Sequence, residues 1–323
     1  MASPAETTAD EITQRLSSNI KGKIILTTGV SPGSLGAAFV ETLAKTAQPK
    51  LLILAGRNVS KVEATAKAIS DLGTNVPTRI LQLDLASLQN VREAAAVVNG
   101  YEEPIDVLVN NAGVMACDYS TTVDGLENQF GTNHIGPWLF TNLIMDKVLS
   151  SPEGGRVVNV ASDGYRLSPI RFHDYDFHGG ESYSKFRAYG QAKTANLLMA
   201  MSLAEKLGPK GLIAVSLHPG VIRTNLSKHL DWSVEYPLLN ALEREMGNWQ
   251  GWMKSFPYVT PTQGIVTHIY ASFDPHLKDY NGRYLEKCSV PDLDSLYCHG
   301  ISSRDASKLW KLSESLVGQR FDY

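Results

Sequence analysis

The sequence predicts an α/β fold built on one doubly wound, parallel, seven-stranded sheet, with a helical lid beside it. Two observations predict this fold. Short runs rich in Ile, Leu and Val alternate with longer helical patterns along most of the 323 residues, which is the rhythm of β-α-β units with right-handed crossovers. The apolar runs are also nearly continuous, as expected of parallel strands that are buried on both faces.

The apolar runs and the helical patterns place each element in order. Strands are expected at residues 23–28, 51–55, 80–83, 105–109, 156–161, 213–217 and 283–285. Helices are expected between them at residues 34–45, 60–72, 87–98, 124–149 and 184–207. A further helix should begin after Thr260, because Pro261 occupies its first position and Gln263 completes a capping box.

One stretch departs from this rhythm and defines the remaining boundaries. Residues 227–260 contain Trp232, Trp249 and Trp252 but no strand pattern. We therefore interpret residues 225–260 as a helical substrate lid rather than a second domain. Residues 1–20 are expected to form a polar N-terminal extension. Residues 21–323 form the single domain, and residues 289–323 are a C-terminal extension of it.

The composition excludes several classes of protein. An apolar content of 43%, a charged content of 20% and a net charge of −3 are typical of a globular protein with one large core. Scattered Lys and Arg give no basic patch for nucleic acid. The three cysteines are too few for a disulfide framework and indicate a reducing, cytoplasmic setting. No apolar run is long enough to predict a membrane span.

A glycine-rich turn joins the first strand to the first helix. Such a strand, turn and helix are typical of Rossmann-like dinucleotide-binding sheets, where backbone N–H groups at the helix N-terminus meet the pyrophosphate. The form G-x-G-x-x-G is absent, and a glycine turn without a ligand is the alternative. The turn residues expected to bind the dinucleotide are Gly29, Ser31, Gly33, Leu35 and Gly36.

The residues after the second strand bear on the choice of cofactor. An acidic residue there would accept a hydrogen bond from a ribose 2′-hydroxyl, whereas an arginine suits a 2′-phosphate. Arg57 and Asn58 occupy this end, with no acid, so the sequence predicts NADP(H) as cofactor; a solvated surface arginine is the alternative. Asp84, after the third strand, could bind the adenine amino group or only cap the next helix.

Tyr189 and Lys193 form the most informative pair in the chain. They lie four residues apart in a predicted helix and therefore on one face. A lysine ammonium there should lower the pKa of the tyrosine toward working pH, which suits proton exchange with a carbonyl or alcohol. Ser162 follows the fifth strand, and Asn133 lies inside a predicted helix, where its amide competes with the backbone.

Taken in order, these motifs resemble the short-chain dehydrogenase/reductase family over residues 22–288, roughly. The segments 130–136 and 158–162 are similar to the retinol-dehydrogenase-like branch and its fungal carbonyl reductase relatives. The resemblance rests on Thr28, Gly29, Gly33, Gly36, Asp84, Asn110, Asn111, Ala112, Gly113, Asn133, Ser162, Tyr189, Lys193, His218, Pro219, Gly220 and Thr224.

The resemblance implies a role for each residue. Tyr189 would be the general acid/base, and Lys193 would bind the nicotinamide ribose and tune Tyr189. Ser162 would bind the substrate oxygen, and Asn133 would hold a water that links Lys193 to solvent. Further cofactor contacts are implied for Asn110, Ala112 and Gly113 on the adenine-ribose side, and for Pro219, Gly220, Val221 and Thr224 near the nicotinamide carboxamide and pyrophosphate.

The chain departs from the family pattern in two places. Its glycines are spaced G-x-x-x-G-x-x-G, one residue longer than usual, with Pro32 inside the turn. Ser162 and Tyr189 are also farther apart than is common, so residues 163–187 are expected to loop out as an insertion.

Two further patterns suggest a metal site and a nucleophile at first sight, but neither is expected. His173, Asp174, Asp176 and His178 are metal-ligand types, but their spacing fits no zinc pattern, so we expect no metal and a solvated loop. Cys117 has no base paired with it in the sequence, and a nucleophilic role is not expected.

We therefore expect an NADPH-dependent oxidoreductase that interconverts a bulky, hydrophobic ketone and its secondary alcohol. The alternatives are a hydride-initiated dehydratase or epimerase in the same cleft, and a non-catalytic module that senses NADP. The two long helices could form a homodimer bundle, unless the C-terminal extension covers them. Two segments rich in aromatic residues should line the substrate cleft: Tyr165, Phe172, Tyr175, Phe177, Tyr183 and Phe186, and Trp232, Tyr236, Trp249, Trp252, Phe256 and Tyr258.

Overall fold

A seven-stranded parallel sheet forms the centre of the computed structural model, which describes residues 7–251 and 258–323. The strand order is β3-β2-β1-β4-β5-β6-β9. This order reverses direction between β1 and β4, the switch point beyond which open α/β sheets bind ligands. The strands of this sheet are β1 (Ile24–Thr28), β2 (Leu51–Gly56), β3 (Thr78–Gln82), β4 (Val107–Asn110), β5 (Arg156–Val160), β6 (Ile213–His218) and β9 (Tyr284–Glu286).

Helices cover both faces of the sheet and give it two apolar cores. One face packs against α5 (Leu88–Asn99), α7 (Gly136–Leu143), α8 (Met145–Leu149), α9 (Lys185–Leu207) and α12 (Ser303–Val317). The other face packs against α1 (Ala9–Arg15), α2 (Ser17–Ile20), α3 (Leu35–Thr46), α4 (Val59–Asp71) and α11 (Pro261–Phe273). The sequence prediction of a doubly wound, single-domain sheet is therefore confirmed.

The helix expected at residues 124–149 is interrupted. A short turn of α-helix, α6 (Asn128–Phe130), leads into a π-helical segment, Gly131–Ile135, before α7 begins. The physical reason is Pro137, which has no N–H to donate to the carbonyl of Asn133 four residues earlier. The change of helix type therefore falls on Asn133, one of the predicted site residues, and π-helical turns occur frequently at functional sites.

The lid segment contains a helix and a short strand. α10 (Trp232–Glu245) confirms its helical character, but β8 (Tyr258–Val259) pairs in parallel with β7 (Val221–Ile222). The expectation of no strand between residues 227 and 260 was therefore wrong. Two residues are too few to show an alternating pattern. The predicted lid residues Trp252 and Phe256 lie outside the described residues.

The N-terminal region is more ordered than a polar extension. Thr8 and Glu11 form a capping box at the start of α1. Ile12, Leu16 and Ile20 are then buried against the core that contains α3 and α11. Their spacing of four residues is the helical period, so this part of the chain belongs to the domain.

The C-terminal extension packs along α9 and α7. The Trp310 ring on α12 lies 5.0 Å from the ring of Trp138, and Phe321 lies 5.3 Å from the same ring. The Tyr323 hydroxyl donates to Asn142 Oδ1 at 3.0 Å. The extension thus covers the apolar face that the two long helices would otherwise expose.

None of the helices that the model describes has the length and apolar character needed to cross a membrane.

Candidate active site

A cleft of about 550 Å³ opens at the carboxyl ends of β1, β2, β4, β5 and β6. It runs from the turn after β2, past the glycine turn, to the catalytic residues predicted on α9. Most of the predicted site residues line it: Gly29, Ser31, Leu35, Arg57, Asn58, Asp84, Ala112, Gly113, Ser162, Tyr189, Lys193, Pro219, Gly220, Val221 and Thr224. Gly33, Gly36, Asn110 and Asn133 are not among the lining residues.

The glycine turn holds β1 close to the segment that follows β4. Gly29 has a φ of +74°, and a Cβ there would lie 2.7 Å from the Cα of Ala112, so only glycine is accommodated. Ser34 caps α3 by accepting from the Ala37 N–H and donates its own hydroxyl to the Gly29 carbonyl at 2.9 Å. The longer glycine spacing is therefore closed by a serine, and the N-terminus of α3 still meets the cleft.

Asn110 does not take the position expected of it. Its side-chain amide turns away from the cleft and donates to Thr141 Oγ1 and Asn159 Oδ1, both at 3.0 Å. Neighbouring strand residues point to opposite faces, and Asn110, the last residue of β4, points into the helix layer. Asn111 was missed; its amide donates to the carbonyl oxygens of Thr28 and Gly29, and it lines the cleft.

Asn133 supports the site from behind. Its Nδ2 donates to the Val114 carbonyl, and its Oδ1 accepts from the Val114 N–H, each at 2.8 Å. Both ends of the side-chain amide hold the backbone after β4, so Asn133 fixes that segment. Its main-chain carbonyl, which Pro137 leaves without an α-helical donor, is the group that would hold the predicted water. The water itself remains a prediction.

Tyr189 and Lys193 lie side by side in the first half of α9, with the ammonium 5.5 Å from the centre of the tyrosine ring. Both are buried, at 7% and 5% exposure. Lys193 Nζ donates to the carbonyl of Val160, at the end of β5, at 2.9 Å. Burial lowers the pKa of Lys193 to about 8, so the ammonium form predominates at neutral pH and is lost as the pH rises through that value.

The pKa of Tyr189 differs from the sequence expectation. Burial raises it above its ordinary value, an interaction with the Ser162 side chain lowers it in part, and the charge of Asp163 raises it further. The expectation that Lys193 lowers the pKa of Tyr189 was therefore wrong for the protein alone. Burial destabilises the charged phenolate more than the neighbouring ammonium stabilises it. At neutral pH the tyrosine is protonated and can act as a proton donor.

Ser162 follows β5 and caps a 3₁₀ turn, Asp163–Leu167. Its Oγ accepts from the Gly164 N–H at 3.0 Å and donates to Asp163 Oδ1 at 3.2 Å. A Cβ at Gly164 would lie 2.9 Å from the Tyr189 ring and 3.3 Å from Ser162 Oγ. A residue without a side chain is thus needed for the serine and the tyrosine to meet. Sequence analysis gave Asp163 no role.

The opposite end of the cleft contains two cationic side chains. Arg57 and Lys61 both line it, and Arg57 makes no ion pair or side-chain hydrogen bond with the described parts of the chain. Asn58 caps α4 by accepting from the Lys61 N–H at 3.0 Å. Asp84 faces the cleft and accepts from the Ala86 N–H at 3.0 Å in the turn before α5. The cap of α5 is Ser87, so the helix-capping role considered for Asp84 was wrong. Lys61 was missed, although it lies four residues after Arg57.

The substrate side of the cleft is mostly apolar, but fewer aromatic residues reach it than expected. Phe186, Trp232 and Tyr258 line it, together with the aliphatic residues Val114, Met115, Leu167 and Leu239. The remaining described aromatic residues of the two segments do not, and Phe177 is fully buried. Phe172 and Tyr175 pack against the main core instead, the rings of Phe177 and Tyr183 contact each other, and Trp249 is 78% exposed.

Ion pairs attach the lid to the insertion that follows Ser162. Glu243 of α10, which is fully buried, pairs with Arg166 at 2.8 Å. Glu235 pairs with Lys185, and Glu245 pairs with Arg187. All three bases lie between Ser162 and Tyr189 in sequence. The expectation that the insertion loops out was therefore wrong, because the insertion is the surface to which α10 of the lid is attached.

The acidic and histidine residues of the insertion make local contacts. The Asp174 carboxylate accepts from Arg171 and from the His178 N–H. Across the described residues, no three His, Cys, Asp or Glu side chains converge as metal ligands would.

Comparisons with known proteins identify the family of this chain. A family model described as short chain dehydrogenase matches residues 23–233. The human protein named Retinol dehydrogenase 13 is 40% identical over 303 residues, which cover 93% of this chain and 86% of that protein. A solved structure from Mycobacterium Paratuberculosis has a TM-score of 0.68 at 28% identity and covers 94% of this chain and 96% of its own.

A second solved structure was obtained with a nucleotide. It is a blue fluorescent protein from a metagenomic library in complex with NADPH, with a TM-score of 0.59 at 25% identity, covering 83% of this chain and 97% of its own. The matched region of the family model contains the glycine turn, Ser162, Tyr189 and Lys193. The chain therefore belongs to the short-chain dehydrogenase/reductase family, in its retinol-dehydrogenase-like branch.

Proposed function

We propose that this protein is an NADPH-dependent oxidoreductase that interconverts a bulky hydrophobic ketone and its secondary alcohol. The observation that carries the proposal is the meeting of Ser162, Tyr189 and Lys193 in one cleft with apolar walls. Mostly apolar walls with a few convergent polar groups are typical of sites for small hydrophobic ligands.

The residues along the cleft fit a dinucleotide. The close approach of Gly29 to Ala112 leaves backbone beside the N-terminus of α3, where a pyrophosphate would be stabilised. Arg57 and Lys61 would hold a 2′-phosphate, Asp84 an adenine amino group, and the segment Pro219–Thr224 the nicotinamide end. When bound, the nicotinamide supplies or accepts a hydride.

The protein's own residues handle the proton and the developing charge. In the direction of reduction, Tyr189 donates its proton to the substrate oxygen, and its raised pKa keeps it protonated until then. Ser162 and the Lys193 ammonium stabilise the negative charge that develops beside them in a buried, low-dielectric site. Asn133 keeps the segment after β4 in place under Lys193.

The function is tested by a screen of bulky ketones and alcohols with NADPH and NADH in parallel, following the absorbance of the reduced nicotinamide. Net oxidation of NADPH with a ketone is expected. Conversion of substrate without net oxidation would instead indicate a dehydratase or epimerase. Tight NADPH binding with no turnover of any substrate would indicate a sensing module.

Arg57 should determine the preference for NADPH over NADH. Substituting Arg57→Ala should reduce the ratio of kcat/KM for NADPH to that for NADH by about tenfold or more, because a charge-assisted hydrogen bond contributes about 1.5–3 kcal/mol. Steady-state kinetics with both cofactors provide the measurement. Arg304→Ala, an exposed arginine that does not line the cleft, is the control. An unchanged ratio in Arg57→Ala would show that this end does not contact the 2′-phosphate.

We infer that the chain does not form a dimer through α7 and α9, because its own C-terminal extension covers that face. If no other face associates, sedimentation equilibrium should give the mass of one chain, 35.3 kDa. Trp310→Glu should expose the apolar face and cause association or loss of stability, whereas Lys311→Glu, its exposed neighbour, should change neither. A dimer in which α9 becomes protected from hydrogen exchange would contradict this inference.

A further inference from the structure

The Ser162 hydroxyl makes two hydrogen bonds within the protein, and both bear on how it could bind a substrate oxygen. A hydroxyl has one proton to donate, and Ser162 donates it to Asp163 Oδ1 at 3.2 Å. It also accepts from the Gly164 N–H at 3.0 Å. As positioned, Ser162 can still accept a hydrogen bond from a ligand beside Tyr189, but its proton is directed to Asp163. The serine is also close enough to Tyr189 to lower the pKa of that phenol.

The two forms of the substrate differ in what they require of this serine. An alcohol has an O–H to donate and can use Ser162 as it stands. A carbonyl oxygen only accepts, so Ser162 must first withdraw its proton from Asp163. Hydrogen bonds to a carboxylate are roughly twice as strong as neutral ones, so the strength of the bond from Ser162 to Asp163 affects reduction directly.

His218, at the end of β6, approaches the same carboxylate. Its Nδ1 lies 3.6 Å from Asp163 Oδ1 and makes no hydrogen bond within the described residues. The side chains of His218 and Asp163 are 13% and 23% exposed, and both line the cleft. An imidazolium at this distance competes with Ser162 for the carboxylate oxygen more strongly than a neutral imidazole does, because it adds a positive charge beside the carboxylate.

Other charged and titratable groups also surround this pair. Tyr189 on α9 and Tyr284 on β9 feel the charge of Asp163, and burial raises the pKa of both. Glu286 is the strand partner of His218, and Arg166 lies on the turn after Asp163. Histidine is the residue type among these that ordinarily changes charge between pH 5 and 8.

We propose, building on the function proposed above, that Asp163 is a positioning residue that holds the Ser162 proton, and that protonation of His218 releases this proton for a substrate carbonyl. At higher pH Ser162 would therefore be set to accept a hydrogen bond from the alcohol. At lower pH it would be free to donate one to the ketone. Neither residue exchanges a proton with the substrate.

Kinetics in the direction of reduction test the consequence. With saturating NADPH and a ketone found in the screen, wild-type kcat should rise several-fold as the pH falls from 8 to 6. His218→Gln should lose the part of this response that depends on His218 and keep only the change near pH 8 that Lys193 gives to every variant. Asp163→Ala should lose the same part and be about tenfold faster than wild type at pH 8, the effect expected of losing one strong competing hydrogen bond. Asp163→Asn, which keeps the shape and a weaker acceptor, should also lose it and have an intermediate kcat.

A matched control is available on the surface. His276 faces Asp274 at 3.0 Å and is exposed, so it forms the same kind of pair away from the cleft. His276→Gln should keep the wild-type profile. Loss of charge from Lys193 near pH 8 is common to all the variants and cannot produce a difference between them.

The Gly164 amide gives a readout that does not need turnover, because its N–H donates to Ser162 Oγ. In ¹⁵N-glycine-labelled protein, its chemical shift should change between pH 5.5 and 8 in the wild type and in His276→Gln. It should be constant in His218→Gln and in Asp163→Asn.

Each outcome decides one of the two proposals. A kcat for Asp163→Ala that rises between pH 8 and 6 by as much as the wild-type kcat, or a Gly164 shift that is constant in the wild type, would overturn the role of Asp163. A wild type that reduces no ketone, but in which the Gly164 shift responds as expected, would overturn the proposed function and leave the positioning of Ser162 supported.

Discussion

Replacing Tyr189 by Phe should lower kcat by about 10²-fold or more, the range that a general acid contributes. The phenylalanine ring fills the same buried space against Gly164, so the fold and the cleft should persist. Only the hydroxyl that gives the proton is lost. The measurement is steady-state kcat for the ketone found in the screen, together with the dissociation constant of NADPH, which should change little.

Tyr280→Phe is the matched control, because Tyr280 is 45% exposed and does not line the cleft. It should retain wild-type kcat. A Tyr189→Phe protein that turns over as fast as the control would remove Tyr189 from the chemistry.

Glu243→Ala should lower the free energy of unfolding by about 3 kcal/mol, near the lower end for breaking a buried ion pair because Arg166 is still 29% exposed. Glu243 is fully buried in α10, and its Oε1 also accepts from Asn248 Nδ2 at 3.3 Å. Its loss removes the carboxylate that pairs with the Arg166 charge beneath the lid. Urea unfolding measures the change, and hydrogen exchange of α10 shows whether the lid opens separately from the rest of the domain.

Glu245→Ala provides the comparison on the same helix. Its side chain is 58% exposed and pairs with Arg187, and pairs of this kind contribute only about 0–1 kcal/mol. If Glu243→Ala and Glu245→Ala were alike in both stability and exchange of α10, the buried pair would not be what holds the lid.

The strands and the catalytic pair could be predicted because their patterns are local. A buried parallel strand shows as an apolar run, and Tyr189 and Lys193 share a face because the helical period fixes it. Ile12, Leu16 and Ile20 also carry a local pattern of helical period, although a polar extension was expected at the N-terminus. The structure has two short packed helices there, α1 and α2.

Other features depend on contacts between distant segments. From the sequence alone, a glutamate in α10 is expected to be exposed to solvent. Only the fold shows that Glu243 is buried against Arg166. The direction of the Tyr189 pKa likewise depends on burial, which outweighs the neighbouring lysine. The inward turn of Asn110 follows from its register in β4, which the sequence defined only to within one or two residues.

Transfer of the hydride label tests the central claim most directly. The protein is incubated with a turned-over ketone and NADPH deuterated at the transferable nicotinamide C4 position, and the alcohol is analysed by mass spectrometry and NMR. Cooperation of Ser162, Tyr189 and Lys193 in one cleft predicts a single deuterium on the former carbonyl carbon, formed far more slowly by Tyr189→Phe. Product without deuterium at that carbon, or equal labelling rates in the two proteins, would contradict it.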